Sequence, residues 1–169
     1  LDDATRLLTR ALAIYDRLQD GDHPMMATSL AALAQIHHER QQYADALRLY
    51  TRALAIFTAS LGPDHPNVAH ILHGLGMTHL AMRRPDLAIP LLERALSLRS
   101  ASSVQAEELA ESRFSLARAL VTPSATAPAD PTRTRRAREL AELALTAYTA
   151  SPGSQRERAA VADWLAAHP

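Results

Sequence analysis

The stretch MMATSLAALAQIHHERQQYADALRLYTRALAIFTASL, residues 25–61, is written more than once in this chain. Its Thr51-Arg52-Ala53-Leu54-Ala55-Ile56 echoes Thr9-Arg10-Ala11-Leu12-Ala13-Ile14, and Glu93-Arg94-Ala95-Leu96-Ser97-Leu98 answers both, at steps of 42 residues. Between the echoes, Asp22-His23-Pro24 returns as Asp64-His65-Pro66. A fixed period of this length signals stacked supersecondary units, none of which can bury its apolar face alone.

Within the stretch, residues 25–39 place Leu30, Leu33, Ala34 and His37 at three- and four-residue steps, which predicts a helix with one inward side. Gln41-Gln42 makes a short turn, and residues 43–60 form the partner helix, with Ala46, Leu47, Tyr50, Ala53 and Leu54 inward. Ala34 sits where the two backbones must come close. Its counterpart one period later is Gly76, a residue that costs helix propensity and fits a close crossing. At the entry to the helix, Asp22 is the expected N-cap and Pro24 suits the first turn.

Upstream, residues 1–18 carry Ala4, Leu7, Leu8, Ala11, Leu12 and Tyr15 on one stripe. Shifted by one period they fall on the second helix of a pair. The chain, which opens on Leu1 rather than Met, is therefore expected to be a fragment that begins midway through a repeat. Downstream, residues 67–82 and 85–100 repeat the pair, and Pro90 lies about one turn after Pro85, where it removes at most one early hydrogen bond. The third copy is degenerate. Ser102 and Gln105 have capping-box spacing ahead of a helix to residue 121, and a Pro/Ala/Ser/Thr loop covers 122–131. Asp130-Pro131 starts a helix through Arg138, Ala141, Ala144, Leu145 and Tyr148, which Ser151-Pro152-Gly153 ends. Ser154 and Glu157 offer a second capping box for a last helix with Val161, Trp164 and Leu165, read as a cap over the end of the stack.

The composition narrows the function classes. Eighteen basic and eighteen acidic residues balance, so no overall field draws the chain to nucleic acid or an anionic membrane. Every base is Arg, and Ala is heavily used, a pattern that suggests a GC-rich bacterial source. No Cys is present, which removes disulfides, thiolate nucleophiles and Cys-based metal sites. The sequence holds no transmembrane-length apolar run and no visible signal peptide, so the cytoplasm is the expected location.

These residues resemble the tetratricopeptide repeat, in its 42-residue variant found in kinesin light chains and many bacterial regulators. The resemblance rests on Met26-Ala27-Thr28-Ser29-Leu30 through Leu33-Ala34, Tyr43, Ala46, Tyr50 and Ala53-Leu54, and on the linker Leu61-Gly62-Pro63-Asp64-His65-Pro66. It covers residues 1–100 well and 104–149 loosely. The ending, from Phe114-Ser115-Leu116-Ala117 through Ala162-Asp163-Trp164-Leu165, also resembles the C-terminal tail of bacterial multidomain serine/threonine kinases. The expected fold is all-α: a right-handed α-solenoid of antiparallel helix pairs with a C-terminal capping helix. The array should span residues 1–149, about three and a half repeats: a half repeat over 1–22, then 24–61, 66–100 and the degenerate 103–149. The cap should span 150–169.

In such arrays the first helix of each pair lines a concave face. Carried over, that face holds Thr28, Ala31, Ala32, Gln35 and His38, then His70, His73, Met77 and Leu80, then Glu111, Phe114, Ser115 and Arg118. The paired Asn that clamp a peptide backbone in kinesin-light-chain-type repeats are replaced by Ala31-Ala32 and His73-Gly74. No Lys/Asn/Arg set for a C-terminal carboxylate is evident either.

Eight His residues invite a metal reading, with His70 and His73 one turn apart and His37, His38 and His79 on neighbouring helices. A zinc site wants three or four ligands supported by a second shell, and no Cys or acid pair completes one. His23 and His65 are accounted for by the linker, and His37 and His79 by the core. No nucleophile–base arrangement, phosphate loop or HExxH motif occurs, and Glu107-Glu108 reads as solvated helix surface. Arg133, Arg135, Arg136 and Arg138 cluster without the interleaved aromatics of a single-strand platform.

The chain is thus expected to be a non-catalytic protein–protein interaction scaffold with neither cofactor nor metal. It would bind a partner peptide or helix on the concave face through Gln35, His38, His70, His73, Met77, Phe114 and Arg118. The alternative is a regulatory or self-association tail of a larger bacterial signalling protein, a serine/threonine kinase or transcriptional regulator. In that case the N-terminal edge helix mediates self-association.

Overall fold

The computed structural model describes residues 2–17, 23–102, 105–124 and 130–168, and among them every regular element is a helix. In chain order these are α1 (Asp2–Arg17), α2 (Pro24–Glu39), α3 (Tyr43–Leu61), α4 (Pro66–Ala81), α5 (Pro85–Ala101), α6 (Ala106–Val121), α7 (Pro131–Ala150) and α8 (Gln155–Ala167). The chain divides into two compact units, Leu1–Thr78 and His79–Pro169.

In the first unit α2 packs on α3, and α1 packs on α2. The α2–α3 pair buries Met26, Ala27, Leu30, Leu33 and Ala34 against Ala46, Leu49, Tyr50 and Ala53. Ala27, Ala34, Ala46 and Ala53 are fully buried, as the crossing of two close backbones requires. The structure places a further close approach at Gly74, two residues before the expected Gly76. A Cβ on Gly74 would lie 2.5 Å from Tyr50 Cζ and 2.8 Å from its Cε1 and Oη. The Tyr50 ring of α3 therefore lies directly on the α4 backbone. Burial and the Glu39 carboxylate push its hydroxyl up to about 12.

The recurring Asp-His-Pro signal works through its histidine. His23 is the N-cap of α2, and its Nδ1 accepts the Met25 N–H at 3.2 Å. His65 repeats this on α4, accepting the Asn67 N–H at 3.1 Å. The expected cap Asp22 lies outside the described residues, and His23 holds the capping position instead. Each pair then closes through the same turn. Gln42 N–H reaches His37 O and Gln41 N–H reaches His38 O, with Gln41 left-handed at φ 61°. One period on, Arg84 reaches His79 and Arg83 reaches Leu80, with Arg83 at φ 58°. These paired bonds satisfy the last helical carbonyls in the Schellman manner. Gly62, at φ 89°, closes α3 where a side chain would be strained.

In the second unit α5 packs on α6, α6 on α7 and α7 on α8. Pro90 is exposed and α5 runs through it. Arg99, one period after Phe57 and two after Tyr15, is only 4% exposed. Its Nη1 donates to Glu108 O at 2.9 Å and Ser112 Oγ at 2.7 Å, and lies 3.5 Å from Glu111 Oε2. A polar joint thus stands where the earlier repeats carry an aromatic ring. Its removal would take a donor from the buried Ser112 hydroxyl, which is costly for a buried group.

Neither expected capping box forms. Ser102 ends α5, its Oγ bonded to Leu98 O, while Gln105 caps α6 with no side-chain bond. Ser154 precedes α8 but its side chain makes no cap bond, and Glu157 is exposed. Asp130 does cap α7: its Oδ1 accepts the Thr132 N–H at 2.8 Å, and the bonds from Thr132 hold its carboxyl below the usual range. Arg136 pairs with Glu93 at 2.6 Å, and Arg138 donates to His168 O at 2.8 Å. Two members of the basic cluster are therefore engaged within the unit.

Replacing His23 or His65 with Ala should lower stability by about 1 kcal/mol each, with Asn in either place recovering most of it. Thermal unfolding of the four variants checks this.

Candidate functional site

The first unit carries a cleft of about 190 Å3 between its helices. Thr28, Ala31, Ala32 and Gln35 of α2 form one wall, Asn67 and His70 of α4 the other, and Phe57 of α3 lines it too. The α2 residues recur at three- and four-residue steps, which puts them on one helix face. Carboxylate and guanidinium groups are missing from this lining. Alanine methyls and an aromatic ring offer apolar contact. Two amides, a hydroxyl and an imidazole supply hydrogen-bonding groups.

Of the expected contact residues, the structure brings Gln35 and His70 together at this cleft, along with Thr28, Ala31 and Ala32 of the wider concave set. His38 is engaged elsewhere. Its Nδ1 lies 3.0 Å from Thr78 Oγ1, and its ring meets Tyr43 edge-on at 5.6 Å. His73 is buried and Met77 half-buried. Gln35 also donates to Glu39 Oε1 at 3.3 Å, an exposed bond that a ligand can displace.

Phe57 and Asn67 are the cleft residues absent from the expected concave set. Asn67 follows directly on His65-Pro66 in the first turn of α4, so the linker motif marks its place. Phe57 lies on a second helix, at the ring position shared with Tyr15.

In the second unit Phe114 and Arg118 come together on α6. Phe114 is half-buried, with Arg118 Cζ 5.9 Å from its ring centroid. Trp164 of α8 meets the Phe114 ring edge-on at 5.9 Å and stacks on His168 at 4.2 Å. The Phe114 ring is thus shared between helix packing and the surface.

No group of three metal-ligating side chains converges among the described residues. His37 bonds Gln42 Oε1 through Nδ1 at 2.7 Å, and the buried His79 Nδ1 has no hydrogen-bond partner among the described residues. No helix among the described residues is long and apolar enough to cross a membrane.

Burial holds His38 below its ordinary 6.5 against the opposing pull of Glu39. Burial, then the Arg84 charge, does the same to His79. Both imidazoles favour the neutral form when folded, so the unfolded chain binds more protons below pH 6.5 and stability falls as the pH drops through that value. Melting temperatures should therefore decline on acidification from neutral pH, and His79→Leu should flatten part of the slope. Differential scanning calorimetry across that range reads both effects.

Comparison with known proteins fits this geometry. The tetratricopeptide repeat pattern matches residues 1–59 and, overlapping them, residues 33–101. Among solved structures, BtubC (BKLC) from P. vanneervenii superposes with a TM-score of 0.77 at 21% identity, over 90% of this chain and 58% of that one. The chain therefore spans little more than half the length of that relative. A putative kinesin light chain from Podosopora anserina, built of nearly identical TPR-like repeats, gives a TM-score of 0.69 at 22% identity, over 98% of this chain and 85% of that one. At these identities the likeness is one of fold: an all-α repeat solenoid. No curated protein matches the chain.

Proposed function

Because the chain belongs to the tetratricopeptide repeat family, in which arrays act as protein-interaction scaffolds, we propose that it takes a partner peptide or helix in the cleft of α2, α3 and α4 without catalysing a reaction. The observation that carries this reading is the lining of the cleft. Ala31, Ala32 and Phe57 give an apolar floor free of ionised groups, while Thr28, Gln35, Asn67 and His70 rim it with donors and acceptors. Small sites of this kind admit one apolar side chain and fix its backbone by a few polar contacts. His38 and Met77, both half-buried, lie further along the same two helices, and Met suits partners of irregular shape. Phe114 and Arg118 offer a second patch in the other unit.

We infer a bacterial origin from the Arg-for-Lys and Ala-rich composition, and the cytoplasm is the setting we propose. A regulatory or self-association role within a larger signalling protein is the second reading. The exposed Leu7 and Ile14 on α1 favour it.

The cleft reading is tested with peptides selected against the folded chain from a random displayed library. Ala32→Trp fills the cleft from a half-exposed position. It should weaken the selected peptides tenfold or more while leaving the melting temperature nearly unchanged. Peptides that bind the variant as tightly as the parent chain would place recognition elsewhere.

A further inference from the structure

In the second unit, acidic side chains gather where α6 begins and α7 ends. Glu107 and Glu111 lie one turn apart on α6, and Tyr148 and Ser151 one turn apart at the end of α7. A hydrogen bond from Ser151 Oγ to Glu107 Oε1 sets these two faces against each other. The same bond holds the Glu107 carboxyl below its usual range, so it stays ionised. Glu157 enters from the first turn of α8.

Tyr148 stands at the centre of this group. It is only 6% exposed, and its hydroxyl makes no hydrogen bond among the described residues. Burial, then the charges of Glu111, Glu157 and Glu107, push that hydroxyl up to about 12, against the opposing pull of Arg99. Three carboxylates thus face one hydroxyl, with a single guanidinium opposing them. That guanidinium is already committed: Arg99 is bonded to Glu108 O and Ser112 Oγ. Glu111, 3.5 Å from it, keeps a side chain 56% exposed. Arg156 and Arg158 flank Glu157 in the chain, but adjacent positions on a helix do not face each other. Negative charge is therefore in excess around a buried hydroxyl that lacks a partner, and such groups in native proteins call for one.

We propose that Glu107, Glu111, Glu157 and the Tyr148 hydroxyl form a binding site for the guanidinium of an arginine side chain presented by a partner peptide. The carboxylates do not close on a single point: no three metal-ligating side chains converge among the described residues, which leaves no seat for a bare metal ion. A guanidinium spreads five N–H donors over a planar fork and reaches acceptors on several helices at once, whereas an ammonium is a compact point charge. The Tyr148 hydroxyl accepts one of these N–H groups, and the carboxylates supply the opposite charge. Arg99 shows the same chemistry inside the unit, one guanidinium joining a carbonyl, a hydroxyl and a carboxylate of α6. The site belongs to the second unit and does not rest on the cleft reading. It selects a cationic side chain where the cleft takes an apolar one.

Short capped glycine peptides with a central Arg, Lys or citrulline, titrated into the isotope-labelled chain at low ionic strength, test this by two-dimensional NMR. Citrulline keeps the shape of arginine and removes its charge. The Arg peptide should shift the amides around Glu107, Glu111, Tyr148 and Glu157, and should bind about fivefold or more tightly than the other two. Tyr148→Phe removes the hydroxyl and leaves every charge in place, and Glu157→Gln changes an exposed side chain. Each should weaken the Arg peptide by about fivefold or more. Circular dichroism and thermal unfolding establish that both variants are folded. A Lys peptide that binds as tightly as the Arg peptide, or a Tyr148→Phe variant that binds it as tightly as the parent chain, would reduce the site to a general negative surface and overturn the proposal. So would a citrulline peptide of equal affinity, or an Arg peptide whose shifts fall away from these residues or do not saturate.

Discussion

The Tyr50 ring resting on the backbone of Gly74 is the contact on which the first unit depends. A helix pair cannot bury its own outer apolar face, so the next helix must approach closely and at one setting. With the ring of α3 against bare backbone, α4 has little freedom to slide or rotate. Phe57 lies two turns beyond Tyr50 on α3, and His70 one turn before Gly74 on α4. The depth of the cleft between them is therefore a consequence of that single contact. Tyr50 is only 5% exposed, and that burial, with the Glu39 charge, pushes its hydroxyl up to about 12.

Around this contact the repeat recurs in its polar details as well as its apolar ones. His23 and His65 cap equivalent helices, and Gln41 and Arg83 take the same left-handed turn. Where the third copy drifts, the apolar logic gives way to a polar one. Arg99 replaces an aromatic ring and ties α5 to α6 through Ser112 and the Glu108 carbonyl. A guanidinium tolerates such burial because its forked donors can be satisfied by several neighbours at once.

The period, the helix pairs and the turns were legible because they depend on spacing, which a sequence displays directly. The caps were less so. Asp22 outranks His23 by general preference, yet the imidazole acceptor reaches the Met25 N–H, a fact of geometry that residue type does not convey. Ser102 and Ser154 have the spacing of capping boxes, but Ser102 is used to end α5 and Ser154 caps nothing through its side chain. The cleft was half legible. First-helix positions supplied Thr28, Ala31, Ala32, Gln35 and His70, whereas Phe57 enters from a second helix. His38 satisfies its polar ring on Thr78, a choice fixed by a neighbour forty residues away.

The most direct test of this account is the stability of Gly74→Ala. A methyl group there must displace the Tyr50 ring, so the substitution should cost about 1–3 kcal/mol despite the better helix propensity of Ala. Hydrogen exchange should show the loss on both sides of the contact, in α3 and α4. An unchanged or higher melting temperature, with α3 and α4 as protected as before, would contradict the claim that this contact sets the packing of the cleft.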